Sequence, residues 1–341
     1  MRAQRSLLFY GILSYCLFAL PSQAQQRVGF DIDFFGYADN REYKSIYTED
    51  KTIFGTIISP KFLFAIDSNN RIVGGMHYNQ NFGRHSENSD RLFPIAYYNY
   101  KNKNFDFALG HMPRYERLKD VPRIALADTF MYDRPNIEGM YLAFHKKTLK
   151  QALYIDWLSK QSPNQRERFL VGLTGKYALG RFYIKDDALL YHNALSSNDT
   201  IDQHIQDNGM AMLRVGVDLS HKTFLDSLSI EAGGVIGFDR VRTEYDLRTT
   251  RGFISSIFLA YRKFFVENTL YLGDPQNLPN GDSFYHRDRY NRLDLGWVPF
   301  RKGNLEGKFT ASFHFAPDQT SNQQAFILRY RFGSTLWQKG K

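Results

Sequence analysis

Cysteine is almost absent. The only one, Cys16, lies in the first twenty residues, and none follows it. A disulfide framework, a thiolate metal site and a catalytic thiol are therefore excluded for everything downstream. Long apolar runs are also missing beyond that opening stretch, so no transmembrane helix is expected there. No HExxH, GxSxG, Walker loop or GxGxxG occurs. No cofactor is expected, and nucleic acid is not an expected partner. No metal motif is present, and calcium on the loop carboxylates Asp199, Asp202 and Asp207, or Asp274, Asp282 and Asp288, is the alternative to plain solvated loops. Acidic charge is in modest deficit: 44 Lys and Arg stand against 35 Asp and Glu, a net +9.

The opening stretch has its own meaning. Arg2 and Arg5 precede a mostly apolar run from Leu7 to Leu20, and Ser22-Gln23-Ala24 follows. This is the layout of a secretory signal peptide with cleavage after Ala24. The expected division is a signal at 1–24, a barrel at 25–333 and a short periplasmic tail at 334–341.

What the chain has in abundance is alternation. In "GMAMLRVGVDLS", Ala211, Leu213, Val215, Val217 and Leu219 share one face, while Arg214 and Asp218 share the other. Period two marks a β-strand with one apolar face. "RLDLGW" repeats it, with Leu293, Leu295 and Trp297 against Arg292 and Asp294. In "LEGKFTASFHF", Phe309, Ala311 and Phe313 oppose Glu306, Lys308 and His314. In "AFILRYRF", Phe326, Leu328 and Tyr330 oppose Arg329 and Arg331. About sixteen such segments occur, and the connections between them alternate between short turns and long loops. That rhythm predicts an even-numbered, up-and-down antiparallel barrel, with short periplasmic turns and long extracellular loops. Aromatics reach 16% of residues, enough for interfacial girdles.

The pattern resembles the Gram-negative outer-membrane porins and related channel-forming barrels. The resemblance implies an all-β transmembrane barrel in the outer membrane. It also implies passive diffusion of small hydrophilic solutes. Apolar faces then meet lipid, and the charged faces meet a wet lumen. The expected pore-lining residues are Asp31, Asp33, Lys176, Arg214, Asp218, Glu231, Arg292, Asp294, Glu306, Lys308, Arg329 and Arg331. On this phase, arginine is forbidden at Leu213, while leucine is tolerated at Arg214.

The longest loop, Met112 to Pro135, is too long for a plain hairpin and apolar in its middle. As in porins, it is expected to fold inward, with Ile124, Leu126 and Phe130 on the wall. Arg114, Arg117, Lys119, Arg123, Arg134, Glu116 and Asp120 would then line a weakly anion-preferring constriction. Outer-membrane lipid and lipopolysaccharide are the expected surroundings, and no stretch marks an oligomer interface.

Two other functions fit the same barrel. One is a surface adhesion protein with a plugged lumen. The other is a lipid hydrolase using a Ser–His pair, for which His192 with Ser196 or Ser197, and His314 with Ser312, are the candidates. His77, His111 and His314 fall on strands and are read as lumenal hydrogen-bonders. The expectation from sequence is a channel rather than an enzyme.

Overall fold

The computed structural model describes residues 26–44, 50–83, 90–198, 202–317 and 319–338. The expected signal peptide lies outside the described residues. Sixteen antiparallel strands close into one barrel, each paired with its sequence neighbours, and β1 with β16. They are β1 (Arg27–Glu42), β2 (Lys51–Ala65), β3 (Asn70–Asn81), β4 (Asp90–Lys101), β5 (Phe105–Pro113), β6 (Asn136–His145), β7 (Leu149–Ser159), β8 (Arg168–Leu179), β9 (Phe182–Asn193), β10 (Gln206–Asp218), β11 (Ser227–Val241), β12 (Tyr245–Tyr261), β13 (Phe264–Gly273), β14 (Arg289–Lys302), β15 (Leu305–Ala316) and β16 (Gln319–Gln338). Two short helices, α1 (Tyr115–Leu118) and α2 (Phe130–Asp133), interrupt the long loop after β5, and a 3-10 turn spans Ser283–His286. No described helix is long and apolar enough to cross a membrane; the strands do that.

Alternation sets the two faces. On β10, Leu213 and Val215 are 56% and 59% exposed on the lipid side, whereas Arg214 between them is 9% exposed. Phe182, Phe264 and Trp297 stand outward near the periplasmic turns, where amphipathic rings suit the membrane interface. Closure is a backbone ladder between β1 and β16, from Arg27–Gln338 to Glu42–Asn322, and two ion pairs cross it. Asp31 pairs with Arg331 and Asp33 with Arg329 across the β1–β16 seam.

Three boundaries differ from the sequence reading. The basic segment 240–251, expected as a long loop, is mostly strand, because β11 and β12 continue above the membrane with a turn between Val241 and Tyr245. Both faces meet water there, so hydrophobic alternation gives no signal. For the same reason β16 begins at Gln319. It also runs past 333 to Gln338, because Arg27 and Val28 of β1 need partners.

The lumen is not uniformly wet. Its extracellular half holds an apolar core. Leu118, Ile124, Ala125 and Leu126 of the long loop join Leu278, Phe284 and Tyr285 of the 274–288 loop. Both pack on wall residues such as Tyr97, Tyr154, Met210, Met212 and Tyr271. A backbone bond from Ala127 N–H to Asn280 O ties the two loops together at 2.8 Å.

Candidate active site

The hairpin of β2 and β3 is closed by Asp67, whose Oδ1 accepts from the N–H groups of Asn69 and Asn70, each at 2.8 Å. That turn sets the register. Ile58 pairs with Tyr78 and Lys61 with Gly75. Ser59 and His77 therefore lie opposite each other, on the lumenal face. Ladder pairing lapses between those two positions, where Pro60 has no N–H to give.

Ser59 Oγ is 2.7 Å from His77 Nδ1. His77 Nε2 is 2.9 Å from Asn136 Oδ1. Asn136 Nδ2 donates to the carbonyl of Pro94 at 2.7 Å. This last bond orients the amide, so its oxygen faces the imidazole. His77 then carries its proton on Nε2, and Nδ1 is free to accept from the Ser59 hydroxyl. All three side chains are nearly buried, at 4%, 5% and 3% exposure. The chain hydroxyl–imidazole–amide is that of a nucleophile, its base and an orienting group.

Ser59 and His77 open onto a pocket. Its apolar walls are Phe35, Ile57, Pro113, Tyr115, Met131 and Pro135, and its polar edge is Asp33, Glu116 and Arg329. Such a surface suits an acyl chain whose polar end sits at the edge.

Asn136 arrives by a bend. Above Tyr97–Gly110 and Ala96–His111, β5 no longer pairs with β4. It still pairs with β6 up to Pro113–Asn136. Gly110 has φ of 125°, a conformation that favours glycine, and a Cβ there would lie 2.2 Å from Ala96 O. The β5–β6 tip leans into the barrel from this point and delivers the 114–135 segment to the lumen. Arg114 anchors it. Fully buried, it donates to Arg134 O at 2.8 Å, to Asn136 O, and to the Asp156 carboxylate at 2.5 Å.

Many charges inside the barrel are paired. Glu116 bridges Lys61 at 3.3 Å and Arg331 at 3.3 Å, and Lys61 also meets Asp31 at 3.2 Å. Burial opposes ionisation of Glu116, but Lys61, Arg331 and Arg117 outweigh it and hold the carboxyl below its usual range. Arg123 meets Asp128 at 3.0 Å and Asp294 at 3.5 Å, and Arg292 meets Asp294 at 2.8 Å. Burial likewise opposes ionisation of Asp128, and Arg123 and Arg292 reverse the effect. Arg214 meets Asp187 at 2.6 Å and also pairs with Glu231, which meets Lys185 at 2.7 Å.

A family model described as lipid A 3'-O-deacylase-type matches residues 20–339. The chain belongs to that family. This overturns the expectation from sequence that the protein is not an enzyme. No curated protein matches the sequence. Among solved structures, the chain is similar to OmpT lacking loop L8, an outer membrane protein of Vibrio cholerae. Identity is 9%, over 90% of this chain and 99% of that one, with a TM-score of 0.55. It is also similar to Salmonella typhi OmpF in complex with daunomycin, at 14% identity over 90% and 98% of the two chains, with a TM-score of 0.51. At these identities the likeness is one of fold: a porin-type outer membrane barrel.

Within this family member, the residues singled out from sequence fall into distinct places. Asp31, Asp33, Arg329 and Arg331 are locked across the closing seam. Arg214, Glu231, Arg292 and Asp294 sit in the ion-pair clusters above. Lys176 Nζ lies 4.1 Å over the Tyr183 ring. Asp218 and Glu306 belong to the periplasmic rim, where Asp218 accepts from Ser220 N–H and Glu306 pairs with Arg301. Lys308 faces inward on β15, opposite Ile327. Arg117 lies between the Tyr97 and Tyr141 rings, and Arg134 donates to Leu158 O. Lys119, Asp120 and Arg123 line a cavity of about 350 Å³ with Lys185, Arg214 and Glu231. Arg114 departs most from expectation. It anchors the loop from a dry site rather than lining water, because its guanidinium needs all three acceptors to offset desolvation.

The Ser–His pairs suggested by sequence spacing are not formed. His192 bonds Asp207 at 2.6 Å, and Ser196 accepts from Asn198 N–H. His314 bonds the Tyr290 hydroxyl at 2.7 Å, and Ser312 accepts from Arg292. Sequence reasoning placed His77 on a lumenal strand but missed Ser59 and Asn136. The register set by the turn at Asp67 is the signal that leads from His77 to Ser59. Among the described residues, no group of three or more His, Cys, Asp or Glu side chains is placed to hold a metal ion.

Proposed function

We propose that this protein is an outer-membrane ester hydrolase that releases an O-linked acyl chain from lipid A, with Ser59 as nucleophile, His77 as general base and Asn136 as the orienting group. The observation that carries the reading is the Ser59–His77–Asn136 chain beside a largely apolar pocket in a member of a deacylase-type family. Ser59 Oγ attacks the ester carbonyl while its proton passes to His77 Nδ1. The tetrahedral adduct collapses, and His77 returns that proton to the departing sugar hydroxyl. Water then cleaves the acyl–Ser59 ester, with His77 again taking and returning a proton. Lipopolysaccharide is in this reading the substrate as well as the surrounding lipid.

The test is mass spectrometry of lipid A incubated with purified, folded protein. Wild type is expected to release one O-linked acyl chain. Ser59→Ala and His77→Ala are each expected to slow release by at least about 10²–10⁴-fold, the range for a positioned proton-transfer group, and by up to about 10⁶-fold where nucleophile and base act as one unit. Wild-type rates in a folded Ser59→Ala variant would assign the chemistry elsewhere.

A further inference from the structure

The bend in β5 has a consequence for the barrel wall. Residues 90–95 of β4 pair with β3, from Gln80–Asp90 to Gly75–Ile95, and have no ladder partner on the β5 side. The wall is thus unzipped between β4 and β5 over its extracellular half, the half that spans the outer leaflet. The gap between β6 and β7 is different. Ladder pairing there starts at Gly139–Asp156, and above it Asp156 accepts from Glu138 N–H at 2.9 Å while Arg134 ties to Leu158 O. That side is sealed by polar bonds. On the β4 side, the bridging bond is the one from Asn136 Nδ2 to Pro94 O.

Asn136 shows how deep the unzipping goes. By alternation it belongs to the outward set of β6, with the exposed Met140 and Leu142, whereas His77 belongs to the lumenal set of β3, with the buried Val73. An outward side chain can bond a lumenal one only if the β5–β6 tip lies inside the line of the wall. The β5–β6 tip therefore stands back from the outer surface at Asn136, with His77 and Ser59 behind it. Lipid-facing Leu92, at 66% exposure, and Met76, at 46%, lie on the strands beside it. Pro113 lines the Ser59 pocket and also ends the unzipped edge of β5, so the pocket adjoins the seam at that residue.

We propose that this β4–β5 seam is a lateral portal through which an acyl chain of an outer-leaflet lipid enters from the bilayer to reach Ser59. The portal rests on the hydrolase reading, and it specifies a substrate presented by the membrane rather than by the aqueous lumen. Apolar surface lines the route, so the chain leaves lipid without crossing water. Opening costs little backbone pairing, because Pro94 has no N–H and the facing strand has already left.

The seam can be blocked from outside. Cys16 is the only cysteine in the sequence, so in a Cys16→Ser background a single introduced thiol is labelled uniquely. Leu92→Cys would be coupled to a bulky sulfonated maleimide, and Leu295→Cys, on the lipid face of a distant strand, would be treated identically. Each protein is compared before and after labelling, on lipid A in mixed micelles and on a short-chain, water-soluble ester that reaches Ser59 through the charged lower lumen. Labelling at position 92 is expected to slow lipid A hydrolysis by about tenfold or more while sparing the soluble ester, as for a blocked entry step. Labelling at 295 is expected to change neither rate. Unchanged lipid A hydrolysis after labelling at 92 overturns the portal and leaves the Ser59 assignment standing. Equal loss of both rates also overturns it, because the block then acts on the site itself. Failure of the assignment is read separately, by Ser59→Ala. A second measurement needs no introduced thiol. A lipid with a diazirine at its acyl terminus, in vesicles with Ser59→Ala and wild-type protein alike, is expected to label peptides from 112–135. Labelling confined to outward-facing strand residues contradicts entry.

Discussion

Asn136 Oδ1 lies 2.9 Å from His77 Nε2, on the side of the imidazole away from Ser59. A neutral amide there orients the ring without adding charge. Asn136→Asp places a carboxylate against the same N–H, which stabilises the imidazolium. Because His77 must be neutral to accept the Ser59 proton, the acidic limb of the pH–rate profile is expected to move upward by about 1–3 pH units, the range for an opposite charge in contact. The profile of ester hydrolysis between pH 4 and 9 checks this. A limb that stays in place, in an active variant, removes Asn136 from the proton chemistry.

The barrel was legible because alternation is a local property. Each strand announces two faces, and the charge on one face decides which side is lipid. The extended tips of β11 and β12 were not legible, since water on both sides erases the alternation. The site was half legible. His77 could be placed on a lumenal strand, and the Asp67 turn sets Ser59 opposite it. Asn136 could not be found that way, because it reaches His77 only through the bend at Gly110, which no periodicity records. Arg114 was misread for a related reason. Its charge pointed to water, but its three acceptors come from β6, β7 and its own loop, and only the fold gathers them.

Strand β10 tests the face assignment and corrects part of it. Leu213→Arg puts a charge into lipid and is expected to destabilise the barrel by about 2–4 kcal/mol if it sits near the midplane. Arg214→Leu is not the tolerated change that alternation alone suggests. It leaves Asp187 and Glu231 buried with one partner fewer, and breaking such a pair costs about 3–5 kcal/mol. Lys185, 2.7 Å from Glu231, places the expected loss toward the lower end. Urea titration of folding into lipid vesicles measures both. Equal stability of Arg214→Leu and wild type would show that the ion-pair cluster adds nothing.

Glu116 makes the seating of the inserted segment sensitive to acid. Its folded pKa lies below the ordinary value of 4.5. A depressed acid contributes stability that is fully present above its unfolded value and is lost as the pH falls through the folded one. The 112–135 segment is therefore expected to stay seated at neutral pH and to loosen in acid, once the pH has fallen below the ordinary glutamate value of 4.5. Pepsin cleavage within the segment at pH 3, compared with a neutral protease at pH 7, reads the change. In Glu116→Gln, Lys61 and Arg331 keep Asp31 but lose their charged partner on the inserted segment at every pH. Cleavage of that variant is expected at pH 7 as well. Equal protection of wild type and variant at both pH values excludes Glu116 as the latch.

The same segment decides how much of the lumen is open. Ile124, Ala125 and Leu126 are 1%, 2% and 3% exposed, and their burial is shared with Phe284 and Tyr285 of the second inserted loop. Packing of this kind excludes water from the extracellular half, so wild-type protein in planar bilayers is expected to show small steps or none. Deletion of residues 120–128 removes that packing together with Asp120, Arg123 and Asp128. Two carboxylates and one guanidinium leave, so the lumen becomes more positive, and Arg292 loses its contact with Asp128 at 3.6 Å. The deletion is expected to give larger steps and a reversal potential displaced toward anions, most clearly at low salt, where screening is weak. The folded state is checked by strand content and heat-modifiable mobility. Conductance and reversal potential both at wild-type values, in a folded deletion variant, would show that the segment does not limit passage through the barrel.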